Sequence, residues 1–167
     1  MKITTRELVM TGLMIALAAI LAQFPINGSI GLDAIPAFFG AAAITPVLGG
    51  LVGAIAHLLI ASFTGFMFTM PLHLVIAGTM FLSCFAYGYV RKHGNRYLAM
   101  VAGILMNGPV SLMISAFAAQ LLGMEFSGMM MFLALIGPLT IVAAINVILA
   151  DILYGLVGAY VPKSKAV

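Results

Sequence analysis

The stretch "GLDAIPAFFGAAAITPVLGGLVGAIAHLL", residues 31–59, determines how many helices the chain contains. Its only ionisable side chains are Asp33 near the start and His57 near the end. It fits either one overlong helix or two short helices that break at Ile44-Thr45-Pro46, because proline favours the first turn of a helix. The choice depends on where the charges of the rest of the chain lie.

The composition of the whole chain is that of a membrane protein. Hydrophobic residues make up 64% of the 167 residues and charged residues 7%, whereas a soluble domain has about 25% charged residues. Several uncharged segments reach the length of about 20 residues that a membrane-spanning helix needs. We therefore expect residues 1–167 to form one integral membrane domain in a lipid bilayer.

The basic residues decide between one helix and two in residues 31–59. They form three clusters: Lys2 and Arg6; Arg91, Lys92 and Arg96; Lys163 and Lys165. Two helices put all three clusters on one side of the membrane, as the excess of Lys and Arg in cytoplasmic loops requires. The sequence thus predicts an all-α protein of the bacterial cytoplasmic membrane, with six transmembrane helices, a short second span and both termini cytoplasmic. We place the helices near 5–23, 34–44, 46–62, 71–91, 97–122 and 138–161.

The second of these helices is too short to cross a bilayer. Roughly 11–13 helical residues reach ~16–20 Å, against a hydrocarbon core of about 30 Å. Irregular backbone at membrane depth is tolerated only against protein or a water-filled cavity. We therefore expect a cavity open to the outside near residues 25–40; the alternative is a re-entrant loop without a ligand.

Ionisable side chains inside a membrane are candidates for a functional site. Asp33 either caps the second helix or accepts hydrogen bonds from a ligand. His73 either bonds a loop carbonyl or faces the cavity, on a helix face that it shares with Met80. For His57 we favour an interhelical hydrogen bond over ligand contact, since the glycines before it allow a second helix to approach closely.

Two amides and one carboxylate lie in the later helices. Asn107 and Asn146 either reach the cavity from the side opposite Asp33 or join helices by hydrogen bonds. Gly108-Pro109, directly after Asn107, predicts a kink in the fifth helix. Asp151 is expected near the cytoplasmic side, paired with a cation such as Arg91 or Arg6.

Several classes of activity are not supported by any motif. The chain contains no G-x-x-x-x-G-K-[ST] loop for ATP, no H-E-x-x-H and no G-x-S-x-G. Seven Lys and Arg residues in all give no basic face for nucleic acid. A stand-alone oligomeric transporter or channel subunit and a membrane enzyme with an unrecognised site remain as alternatives to a binding subunit.

Four features make the chain resemble a substrate-binding S component of an energy-coupling-factor (ECF) vitamin transporter. They are the size with six spans, "TRELVMTGLMIALAAILA" at 5–22, the stretch at 31–59, and "MPLHLVIAGTMF" at 70–81. The last two most resemble the group proposed to import α-ribazole, a cobalamin precursor. Pantothenate, thiamine-precursor and queuosine-precursor S components are the alternatives.

The resemblance implies a binding subunit, not an enzyme, that needs no cofactor of its own. Such a subunit takes a vitamin or precursor from outside and docks on a membrane coupling protein that carries two cytoplasmic ATPases. His73 and Asp33 would then contact the ligand, and aromatic side chains would form flat apolar walls. The predicted substrate-binding residues are Asp33, Phe38, Phe39, Phe63, Phe66, His73, Met80, Asn107 and Asn146.

The first helix carries a pattern of small residues that the resemblance connects with docking on the coupling protein. Its members are Gly12, Ala16, Ala18, Ala19 and Ala22. Small residues let helix backbones approach each other in lipid, within one chain or between two. The spacing alone leaves open which of them face a partner.

Overall fold

The computed structural model describes residues 3–26, 28 and 30–158. Over these residues the regular elements are helices: α1 (Thr5–Leu21), α2 (Ile35–Ala43), α3 (Pro46–Phe63), α4 (Met70–His93), α5 (Arg96–Leu121) and α6 (Gly128–Val157). The predicted helix ends agree with these to within two residues for the first five helices. Lys2, Pro162, Lys163 and Lys165 lie outside the described residues.

The stretch at 31–59 forms two helices, as the sequence predicts. Ile44 leaves the helical conformation, and the Thr45 side chain accepts a hydrogen bond from the backbone N–H of Leu48 to cap α3. Pro46 then occupies the first turn of α3, where its missing N–H costs nothing. The nine residues of α2 span only ~14 Å.

The start of the last helix was predicted wrongly. The sequence places its start at residue 138, because proline favours the first turn of a helix, but α6 begins ten residues earlier, at Gly128, and passes through Pro138. A proline removes one backbone hydrogen bond from a helix interior, and thirty residues of apolar helix outweigh that loss. The connection between α5 and α6 is therefore only residues 122–127.

The predicted kink in α5 takes the form of a π-helical turn. Residues Met106–Val110 are π-helical and contain Pro109, between α-helical segments on either side. Such bulges relieve the lost hydrogen bond at a proline and occur often at functional sites. The turn brings the Asn107 side chain into the interior.

Small residues allow α2 to pack inside the bundle. It contacts α1, α3, α4 and α6, and Ala37, Phe38 and Ala41 on it are fully buried. A Cβ atom on Gly49 of α3 would overlap the backbone of Ala41, and one on Gly88 of α4 would lie 2.7 Å from the Ala41 carbonyl oxygen. Glycine at both positions therefore lets α3 and α4 close around α2.

One end of the bundle, which we call the basic end, is held by a buried carboxylate. Asp151 of α6 is fully buried and forms salt bridges with Arg91 at 2.8 Å and Arg96 at 2.7 Å. The Tyr87 hydroxyl also donates to Asp151, at 3.1 Å. The predicted pairing with Arg91 is confirmed, and it joins α4 and α5 to α6.

Within the part of the chain that the structure describes, four helices are long and apolar enough to cross a membrane: α3, α4, α5 and α6. Their outer faces carry large hydrophobic side chains such as Leu74, Phe117 and Leu133, each more than half exposed. Water does not favour such surfaces, and hydrocarbon does. The fold is thus that of an α-helical membrane protein with several spans.

The packing of α4 gives the first testable prediction, with a control on the same helix. Gly88→Ala should lower the free energy of unfolding by about 1–3 kcal/mol, because the new methyl group overpacks against Ala41. At Gly78 a Cβ atom would have no neighbour within 4 Å, so Gly78→Ala should be neutral or stabilising by up to about 1 kcal/mol. Thermal unfolding in detergent measures both, and equal stability of the two variants would contradict the close approach.

Candidate binding cavity

A cavity of about 130 Å³ lies among α3 to α6 and the connection before α2, near the end of the bundle opposite the basic end. We call this the loop end, because the connections 22–34, 64–69 and 122–127 meet there. The cavity is close to the predicted position. Its wall is formed by Gly28, Ile30, Gly31, Asp33, Ala34, His57, Met67, Phe68, Ile76, Met80, Asn107, Ser111, Leu112, Ser115, Met131, Leu135, Leu139, Val142, Ala143 and Asn146.

Four of the nine predicted binding residues line this cavity: Asp33, Met80, Asn107 and Asn146. Asp33 does not cap α2, whose N-terminus has no side-chain hydrogen bond. Its carboxylate forms no salt bridge with the described residues. Asp33 is 4% exposed and lines the cavity, and its carboxyl group accepts a hydrogen bond from its own backbone N–H.

Asn146 connects α6 to the connection that carries Asp33. Its Nδ2 atom donates to the backbone carbonyls of Gly31 and Val142, each at 3.0 Å. Its Oδ1 atom is buried and has no hydrogen-bond partner in the described structure. An amide oxygen left unpaired in this way costs about 1–3 kcal/mol, which a ligand donor would recover.

His73 lies behind the cavity wall, and His57 takes its place in the wall. The His57 Nε2 and His73 Nδ1 atoms are 3.1 Å apart, which confirms the interhelical hydrogen bond predicted for His57. His57 also lines the cavity, with Nδ1 as its remaining ring nitrogen. His73 is fully buried, and its ring contacts those of Phe66 and Phe68 at 5.6 and 6.3 Å.

The predicted aromatic walls are elsewhere in the structure. Phe38 is fully buried and packs edge-on against Tyr87 at 5.4 Å, because it points into the bundle from α2. Phe39 packs against Tyr154, and Phe63 is 56% exposed on the outside of α3. Phe66 contacts His73 and does not line the cavity.

Phe68 and three methionines supply the apolar wall instead. Phe68 stacks on Phe126 of the 122–127 connection at 6.3 Å, so one aromatic pair joins two of the connections at the loop end. Met67, Met80 and Met131 lie around the same space. Methionine side chains adapt to the shape of a flat ligand. Phe66 and Phe68 lie seven and five residues before His73 in the sequence, and the turn at residues 64–69 directs only Phe68 into the cavity wall.

The comparisons with known proteins agree with this architecture. The family model described as "ECF transporter, substrate-specific component" matches residues 6–158. The chain belongs to this family. No curated protein and no solved structure matches it significantly. The chain is thus a substrate-specific membrane subunit of an ECF importer, and the family implies a small-molecule substrate together with the coupling protein and ATPases of the importer.

The Asn146 contacts give a prediction about the connection before α2. Asn146→Leu keeps the volume but removes the hydrogen bond to Gly31, so backbone amides in residues 30–34 should exchange with deuterium several-fold faster. Ser83→Ala is the control, since the buried Ser83 hydroxyl donates only to the Thr79 carbonyl of its own helix. Unchanged exchange in residues 30–34 of Asn146→Leu would show that Asn146 does not hold this connection.

Proposed function

We propose that this S component binds α-ribazole, a cobalamin precursor, in the cavity at the loop end and delivers it to the cytoplasm with a separate coupling protein and two ATPases. The proposal rests on the composition of the cavity wall. The wall places a carboxylate, an imidazole and two amides among methionine and phenylalanine side chains. A benzimidazole riboside needs both kinds of contact, since its ring is flat and apolar and its sugar carries hydroxyl groups.

The proposed topology has six spans, with the loop end outside and both termini in the cytoplasm. It is supported by the positions of Arg91 and Arg96, which lie at the basic end with Asp151. The connections at the loop end contain no Lys or Arg. Since Lys and Arg are concentrated in cytoplasmic loops, the cavity faces the side from which a nutrient arrives.

The exposed side of α1 is the proposed docking surface for the coupling protein. Gly12 and Ala16 are exposed, and a Cβ atom on Gly12 would have no neighbour within 4 Å. Ala19 is half-buried. Ala18 and Ala22 are fully buried within this chain, so their small size serves internal packing. The docking proposal therefore rests on the face of Gly12 and Ala16, on the opposite side of α1 from the core.

The experiment combines transport with assembly. Cells that express the full chain with a coupling protein and its ATPases should accumulate labelled α-ribazole, and the isolated chain should bind it. Ala16→Leu should abolish uptake and co-purification with the coupling protein but leave α-ribazole affinity within about twofold, because the side chain lies on the outer face of α1. Gly78→Leu, the same kind of enlargement on the exposed side of α4, should assemble and transport normally.

Other outcomes separate the parts of the proposal. If the isolated chain binds α-ribazole and Ala16→Leu still assembles, the docking surface is wrong and the ligand is right. If the chain assembles with the coupling protein but binds no α-ribazole, the ligand is wrong. Ala18 is in the core, so Ala18→Leu should lower the thermal stability of the chain. This loss of stability should be a larger effect than any change in α-ribazole binding or in assembly with the coupling protein.

A further inference from the structure

The polar side chains of the cavity wall offer several hydrogen-bond acceptors, and the amide of Asn107 can both donate and accept. Asn146 uses both of its Nδ2 hydrogens on the carbonyls of Gly31 and Val142 and leaves Oδ1 unpaired. Oδ1 is the one unpaired buried side-chain oxygen among the described residues that belongs to the wall. A ligand that satisfies it must donate a hydrogen bond.

The hydroxyl groups of the two serines in the wall are also hydrogen-bonded within the protein. The Ser115 hydroxyl donates to the Ser111 carbonyl at 2.8 Å. The Thr79 hydroxyl is 2.8 Å from the Ile76 carbonyl and 2.6 Å from the Ser111 hydroxyl, and either hydroxyl can donate in the second contact. Ser115 therefore presents lone pairs to the cavity, and Ser111 can accept a hydrogen bond there as well.

The charge of the wall is negative or zero at every position. Asp33 supplies a carboxylate, and no Lys or Arg is among the lining residues. The sequence has no Lys or Arg from residue 7 to 90 or from 97 to 162. Arg91 and Arg96 are held by Asp151 at the basic end. A carboxylate or phosphate of a ligand would therefore enter a partly desolvated site without a counter-charge, which is costly.

From this we infer the substrate class: the cavity selects a neutral or cationic molecule that carries several N–H or O–H donors and no carboxylate or phosphate. This inference rests on the proposed binding role of the cavity. Asp33 accepts from hydroxyl groups or from a protonated nitrogen, Asn146 and the serines accept from further donors, and the methionines and Phe68 cover the apolar part. Among the ligand classes considered above, pantothenate is excluded because of its carboxylate, whereas unphosphorylated α-ribazole fits.

Two pairs of probes test the inference, since each pair differs in charge. The first is α-ribazole and its 5′-phosphate; the second is pantothenol and pantothenate, which are nearly equal in shape. Binding to the purified full chain is measured by calorimetry and by thermal stabilisation in detergent. The neutral member of a pair should bind, and the anionic member should bind at least 100-fold more weakly or not at all.

Asp33→Asn distinguishes a charge effect from a steric one. It keeps the shape of the side chain and replaces the carboxylate by an amide that donates as well as accepts. The neutral probe should bind about 10- to 150-fold more weakly, and the ratio between the neutral and anionic probes should shrink. Glu125→Gln makes the same chemical change at an exposed residue outside the cavity wall and should leave both affinities unchanged.

Each result decides one of the two proposals. An anion that binds as tightly as its neutral partner would overturn the substrate class, while uptake with the coupling module would still support the import function. Binding of pantothenol without α-ribazole would support the substrate class and overturn the proposed ligand. If none of the four probes binds, both the substrate class and the proposed ligand are wrong.

Discussion

The close contact of Ala41 with Gly49 and Gly88 is the constraint on which the rest of the structure depends. It draws a nine-residue helix into the centre of the bundle, where two longer helices close around it. Because α2 reaches only ~14 Å, the chain before it must lie within the bundle and not outside. Gly31 and Asp33 are thereby placed at the side of α6, where Asn146 holds the Gly31 carbonyl.

The two ends of the bundle differ in how completely their buried polar groups are satisfied. At the basic end, Asp151 satisfies two guanidinium groups and a phenol in a cluster that needs no further partner. Among the described residues of the loop end, Asn146 keeps an unpaired oxygen and Asp33 forms no salt bridge. Partly satisfied polar groups in a buried wall are costly alone, which is why we propose that they stabilise a ligand.

Local signals in the sequence were sufficient for most of the fold but not for the details of the cavity. Thr45 and Pro46 mark a helix start by side-chain capping and proline geometry, which depend on neighbouring residues only. Pro138 carries the same local signal, yet α6 continues through it, because the decisive packing comes from distant helices. His73 and His57 were both recognised as unusual, but which of them faces the cavity depends on the packing of α3 against α4.

The central claim is that the cavity at the loop end holds the substrate of this chain. Native mass spectrometry of the full chain released from membranes tests it most directly. The test variant is Ala143→Phe, whose larger side chain fills the cavity from α6. The control is Gly137→Leu, because a Cβ atom at residue 137 meets open space. We predict one bound small molecule on the wild-type chain and on Gly137→Leu, and none on a folded Ala143→Phe. Retention of the same molecule by Ala143→Phe would contradict the claim.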